Sequence, residues 1–335
     1  MRVTSFMLFD QMRKSFQNNL GEISAMYNKL SSSKKIDKPS DDVIGMMRTM
    51  DHKLSINYNE QYKRTIDDAI AHINFAEGIT SSVSNALTRT KELALSGATG
   101  TASAESRASI AKEVAQLRDQ ILSLSNSKLG DRYIYSGHRT DIKPFNSTTF
   151  NYQGDSGIIN VIIDREAVMP INVPGSDTFS YPLNAEDVIQ LNDGKYIHYI
   201  PGAGTTINVE VRDTDDTTVL DSFSFSNFIQ MTDVLNSALK DNNIIRVLAM
   251  LKPLDNAHNQ VTNIQADTGA KLNRLDDQKI RLEEGTLNLK TALSNTEDAD
   301  MAEIASELAK AEAVLQALRQ SSARVLSQSL LDFLR

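Results

Sequence analysis

Apolar side chains recur along most of this chain at steps of three and four residues, the spacing that gathers them on one side of an α-helix. Near the carboxy terminus Ile304, Leu308, Ala311, Leu315 and Leu318 form such a stripe. It is interrupted at Ser321 and Ser322 and resumes as Val325 or Leu326, Leu330 and Phe333. Near the amino terminus Phe9, Phe16, Ile23 and Leu30 repeat at sevens, with Met12, Asn19 and Met26 between them. Stripes this narrow suit one or two facing helices and do not close a globular core alone. The ends therefore predict coiled-coil-like pairing, with each other or with further copies of the chain. An ordinary amphipathic helix against its own core is the blander reading of either stripe. It loses ground because sevens recur elsewhere and the end helices carry few aromatic residues.

Between the ends the pattern changes twice. Leu30 to Ser40 breaks the first helix, and Ser40 is expected to cap a second, with Asp41 and Asp42 at its positive end. That helix runs to about Ser96 and carries Ile66, Ile73, Thr80 and Leu87 at sevens. A third starts near Ala104, with Ile110, Val114, Leu117, Ile121 and Leu124 on one face, and Gly130 is expected to mark its end. From Gly137 to about Phe225 lie five of the seven prolines and seven of the fifteen glycines. Short β-branched and aromatic runs there, at 149–152, 158–163, 196–200, 207–212 and 219–225, predict a small all-β unit with its own core. Residues 184–191 predict a short helix. Helix resumes at Asn227, and Val247, Leu254, Val261, Thr268, Leu275, Leu282 and Leu289 keep sevens over a length of roughly 65 Å. Pro253 should end or kink that helix. The predicted fold class is α+β: a long antiparallel coiled-coil-like helical bundle formed by both chain ends, with an inserted small all-β domain. The expected boundaries are 1–136, 137–226 and 227–335.

Composition narrows the function. The net charge is -8, and the densest basic spot, Lys34, Lys35 and Lys38, is followed at once by Asp41 and Asp42. This excludes a phosphate-binding basic face, so no nucleic acid is expected, and the three lysines read as a solvated turn. There are no cysteines, hence no disulfide framework or thiol chemistry. No apolar run approaches the roughly 20 residues that span a bilayer, and the first residues lack a secretory apolar core, so neither membrane insertion nor a cleaved signal is expected. The histidines, His52, His72, His138, His198 and His258, have no ligand-like spacing. Asp213, Asp215 and Asp216 resemble the start of a calcium loop, but the glycine and the closing glutamate are missing, and turn composition explains them better. Gly202 and Gly204 read as a hairpin turn. No catalytic, cofactor-binding or metal-binding residue is predicted, and the chain is read as a non-enzyme.

Three stretches resemble one family. Leu30-Ser-Ser-Ser-Lys-Lys-Ile-Asp-Lys-Pro-Ser-Asp-Asp42 resembles the amino-terminal segment of bacterial flagellins and flagellin-like proteins, with Ser33 in place of their usual glycine. Arg132-Tyr-Ile-Tyr-Ser-Gly-His-Arg-Thr-Asp-Ile-Lys-Pro-Phe145 is similar to the segment by which the hook–filament junction branch of that family leaves its third helix. Asp298-Ala-Asp-Met-Ala-Glu-Ile-Ala305 and Ser329-Leu-Leu-Asp-Phe-Leu334 resemble the family's carboxy-terminal helix.

The resemblance implies that the terminal helices pack against those of neighbouring copies in a helical assembly, with the β part outward. Phe9, Phe16, Ile23, Leu30, Ile304, Leu308, Leu315 and Leu318 are the expected assembly contacts. It further implies a layer between a second, hook-side junction protein and the flagellin filament, reached by export to the extracellular flagellum without a cleaved signal. A dedicated flagellar export chaperone would first hold the last helix, at Val325, Leu326, Leu330 and Phe333. A short flagellin acting as a filament subunit is the nearest alternative. A secreted coiled-coil adaptor or adhesin would share the periodicity but would have no reason for the first two stretches.

Overall fold

The computed structural model describes residues 2–181 and 183–333, of which 2–6, 8 and 325–333 by their backbone alone. In chain order these form α1 (Arg2–Ser32), α2 (Val43–Ala98), α3 (Ala104–Ser125), β1 (Lys128–Leu129), β2 (Arg132–Tyr133), β3 (Asn160–Ile162), β4 (Val168–Pro170), α4 (Gly175–Thr178), β5 (Asp187–Gln190), β6 (Tyr196–Pro201), β7 (Ile207–Arg212), β8 (Val219–Phe225), α5 (Phe228–Lys240), α6 (Ile244–Ala249), α7 (Leu251–Glu297) and α8 (Met301–Phe333).

The helices begin and end where local chemistry allows. α2 is capped by Asp42 rather than Ser40: its carboxylate accepts from the Gly45 N–H at 2.9 Å, a stronger acceptor than a hydroxyl at the positive end of a helix. A Cβ at Gly45 would crowd the tip of the Ile36 side chain and the capping Asp42 carboxylate. Ser103 caps α3, accepting from Ser106 N–H at 3.1 Å. α3 stops at Ser125, before Gly130; that glycine, at φ +62°, instead makes the left-handed turn between β1 and β2. Pro253 lies in the first turn of α7, where a missing N–H removes no helical hydrogen bond, so the chain breaks before it and not at it. Ser321 and Ser322 leave α8 uninterrupted.

Four strands form one antiparallel sheet in the order β5-β6-β7-β8. The helix expected over 184–191 is the edge strand β5, because β6 offers it a row of backbone partners that outweighs its weak helical pattern. Residues 149–152 contribute only an isolated bridge, Phe145 with Tyr152. The sheet does not have a core of its own. Ile197, Tyr199, Val209, Val211 and Phe225 lie in one apolar cluster with Leu87, Val114, Ile121, Leu235 and Val261 from the helices. A single sheet has one apolar face and needs a second layer to cover it.

Two compact units result, one of residues 1–61 with 281–335 and one of residues 62–280. These cuts fall inside α2 and α7 and differ from those expected at 136/137 and 226/227, since the β segment shares its core with helices of its own unit. Within the second unit Arg107, 3 % exposed, ties two turns together. Its guanidinium donates to Gly97 O at 2.7 Å, Thr99 O at 2.8 Å and Asn242 Oδ1 at 2.7 Å.

Candidate assembly interface

In the unit of residues 1–61 and 281–335, α1 and α8 lie side by side. Met12 Sδ meets Ser322 Oγ at 3.9 Å, Tyr27 donates to Glu312 at 2.9 Å, and Ala299 N–H donates to Ser33 O at 3.1 Å. One partner number rises as the other falls, so the pair is antiparallel. Ile23 and Ile304 are buried; Phe16, Leu30, Leu308, Leu315 and Leu318 are half-buried; Phe9 is 52 % exposed. Most residues expected to meet another copy thus lie along a helix pair made within one chain. Asn19 is buried in α1 with Oδ1 unpartnered among the described residues, the kind of polar group that fixes register in a helical seam at some loss of stability. The side chains of Val325, Leu326, Leu330 and Phe333 lie outside the described residues.

The two connections of this unit are knotted to each other. Lys34 and Asp298 form an isolated antiparallel bridge, flanked by Lys35 N–H donating to Glu297 O at 2.7 Å. The buried Glu297 carboxylate takes Lys34 Nζ at 2.6 Å and Lys53 Nζ at 2.8 Å. Lys34 is therefore an ion-pair partner across the joint and not a solvated turn residue. Its acidic partner lies too far along the chain for local charge patterning to reveal. Burial pushes the Glu297 carboxyl up, and the two ammonium groups outweigh it, leaving it below its ordinary 4.5.

A depressed carboxyl adds stability that is complete above the ordinary value and is lost as pH falls through the folded value. Glu297→Gln is expected to flatten the acid limb of unfolding below about pH 4.5 for this unit, measured by amide exchange around 297–304. An acid limb unchanged in the variant would assign the titration elsewhere. Ser33 adopts φ +58°, the left-handed region where a Cβ is costly. Ser33→Gly is expected to stabilise the unit by about 0.5–1 kcal/mol in urea unfolding. Lower stability in the variant would mean that the serine side chain holds the turn.

A second apolar stripe runs along the first turns of α2. Val43, Ile44, Met47, Met50 and Leu54 follow each other at helical spacing, and each is half or more exposed; Met47 stands at 63 %. The opposite side of the same turns, Thr49 and Ile56, is buried. A contiguous exposed apolar row of this kind marks a contact surface. Reading for sustained sevens passed over it, because Val43 with Met50 and Met47 with Leu54 each repeat only once.

The Arg132–Phe145 stretch belongs to the other unit and is a structural corner. Tyr135 is buried, its ring edge-on to Phe179 at 4.9 Å and its hydroxyl donating to Ala76 O at 3.2 Å. Phe145 packs on Tyr152 and Phe179 at 5.2 and 5.4 Å. Gly137 takes φ +69° where the Asp155 backbone and carboxylate fill the place of a Cβ. That carboxylate accepts from His138 and Gly157 N–H at 2.7 and 2.8 Å. These contacts turn the chain out of α3 and close an aromatic box.

Among the described residues no group of three or more His, Cys, Asp or Glu is placed to hold a metal ion, and no helix is long and apolar enough to cross a membrane. The bacterial flagellin N-terminal helical region matches residues 3–140, and the bacterial flagellin C-terminal helical region matches residues 251–334. The flagellar hook-associated protein 3 of Salmonella typhimurium is 26 % identical over 95 % of this chain and 94 % of its own length. A flagellin of Bacillus subtilis is 29 % identical over 92 % of this chain and 91 % of its own. The crystal structure of flagellar hook-associated protein-3 from Legionella pneumophila shares the fold, with a TM-score of 0.58 at 19 % identity over 73 % of this chain and 97 % of that one.

Proposed function

This chain belongs to the bacterial flagellin family, among its hook-associated protein 3 members, and on that footing we propose that it forms the layer joining the hook to the flagellin filament. The observation that carries the proposal is the likeness to hook-associated protein 3 along almost the whole of both chains. The geometry adds how copies would meet. α1 and α8 hold each other within one subunit, whereas the Val43 to Leu54 row lies open, so this row, together with Phe9, is the surface for a neighbouring copy. The other seam residues, Phe16, Ile23, Leu30, Ile304, Leu308, Leu315 and Leu318, act by keeping the two ends together and contribute to contacts between copies at their exposed edges.

The partners are then copies of the chain, a second hook-associated protein on the hook side and flagellin on the other. The role is structural and not enzymatic. The subunit works outside the cell after export without signal cleavage, and an export chaperone holds Val325, Leu326, Leu330 and Phe333 until then. Truncation after Leu326 should abolish chaperone capture; full capture by the truncated chain would move that site elsewhere. The principal test is deletion of the gene in its own bacterium, with electron microscopy of the flagella and assay of the medium. Hooks without filaments, and flagellin lost to the medium, are expected. Missing filaments without flagellin in the medium would favour the filament-subunit reading, and normal motility would overturn both.

A further inference from the structure

On the face of the β5–β8 sheet opposite the helices, three carboxylates and one arginine surround a histidine. Ile197 and Tyr199 point into the core, so His198 between them points the other way, in register with Val188 on β5 and Glu210 on β7. Val188 is exposed on that face, yet the His198 side chain is only 6 % exposed. Two side chains from outside the strand cover it. Glu186, just before β5, places Oε1 2.6 Å from Nδ1, and Asp216, in the β7–β8 turn, places Oδ1 2.6 Å from Nε2.

A neutral imidazole has one N–H to donate and one lone pair, and a carboxylate has only lone pairs, so a neutral ring satisfies one of these contacts and opposes the other. Both contacts fit an imidazolium. Protonating a carboxylate instead is disfavoured here. Both are nearly half exposed, and Asp216 also faces Arg212 at 3.9 Å. Arg212 in turn holds Glu210 at 2.7 Å. Glu186, Glu210 and Asp216 thus outnumber Arg212, and a charged His198 brings the cluster close to balance. On the core side Lys252 is engaged by Asp187.

The turn that carries Asp216 has its own need of a tether. Asp216 is a non-glycine residue at φ +57°. Asp215 is occupied with the Thr217 and Thr218 N–H groups at 3.0 and 3.3 Å, and Asp213 N–H closes the loop on Thr218 O at 3.0 Å. The Asp216 carboxylate links the turn to the middle of the sheet.

We propose that His198 is a charged latch. As an imidazolium it fastens the 213–218 turn and the segment leading into β5 to the middle strand β6. When it loses its proton one tether must open, so the solvent-facing side of the sheet loosens as pH rises while the helical side stays packed. The device is pH-sensitive order in the segment that the flagellin helical regions leave unmatched.

The test uses the full chain. Nitrogen NMR of the histidine side chains at neutral pH should show both ring nitrogens of His198 protonated. Amide exchange, corrected for its intrinsic pH dependence, should lose about tenfold protection or more at 186–188 and 214–218 once the ring deprotonates. In His198→Gln, whose amide donates without titrating, protection there should be lower at neutral pH and level across the range. Asp216→Asn should remove the pH dependence at 214–218 and keep it at 186–188. Core amides of β6 and β7 report that each variant is folded. A single protonated ring nitrogen at neutral pH, or protection at both segments unaltered in His198→Gln, would overturn the proposal.

Discussion

Replacing Met47 and Leu54 together by glutamate is expected to abolish joining of copies while leaving the monomer folded. Both side chains are half or more exposed in the isolated chain, so the substitutions remove little burial and should move monomer stability by about 0.5 kcal/mol or less each. In a contact between copies the same positions would be dehydrated, and an unpaired charge there costs about 2–5 kcal/mol. Two such charges should lower association by at least a hundredfold and leave hooks bare in a complementation assay. Ile23→Glu is the contrasting variant: it charges a buried position between α1 and α8 and should unfold the 1–61 and 281–335 unit before assembly is reached. Full motility with Met47→Glu and Leu54→Glu would remove the open row from the proposed contact.

The second large effect is expected at Arg107. α2 ends with carbonyl groups that have no helical partner, and the Arg107 fork satisfies Gly97 O and Thr99 O together with the Asn242 side chain. Arg107→Ala would leave the buried Gly97 O without its donor, while Thr99 O keeps the Ala102 N–H and the exposed Thr99 and Asn242 turn to water, a loss of about 1–3 kcal/mol. Arg107→Lys should recover less than half of it, since one ammonium cannot match a planar three-way arrangement. Urea unfolding by circular dichroism measures both. A cost below about 1 kcal/mol for the alanine variant would mean that water or a backbone shift replaces the guanidinium.

Much of the helical architecture is legible along the chain because helix period, caps and breakers are local. α1, α2, α5 and the strands β7 and β8 follow from spacing and from β-branched alternation. What is lost is whatever depends on a distant partner. β5 is a strand because β6 lies beside it, and nothing between Asn184 and Leu191 says so. The sheet's lack of a separate core depends on which helices cover it, and Lys34 takes its meaning from Glu297. Arg107 sits in an unremarkable helical stretch, and its acceptors are two backbone carbonyls and the distant Asn242 side chain, which leave no trace in local side-chain patterning. The α2 row was available in the order of residues and was hidden only because its sevens, Val43 with Met50 and Met47 with Leu54, stop after one repeat.

The pairing of α1 with α8 also sets a timetable. Met12 and Ser322 are 310 positions apart, so α1 does not meet its partner helix among the described residues until α8 has been made. Residues 62–280, one uninterrupted stretch with its own core, can close earlier. At a synthesis rate of about 10 residues per second the amino-terminal helix waits roughly half a minute with its apolar stripe uncovered. Throughout that interval it is open to any protein that binds nascent amphipathic segments. α8, once made, ends the interval by covering it.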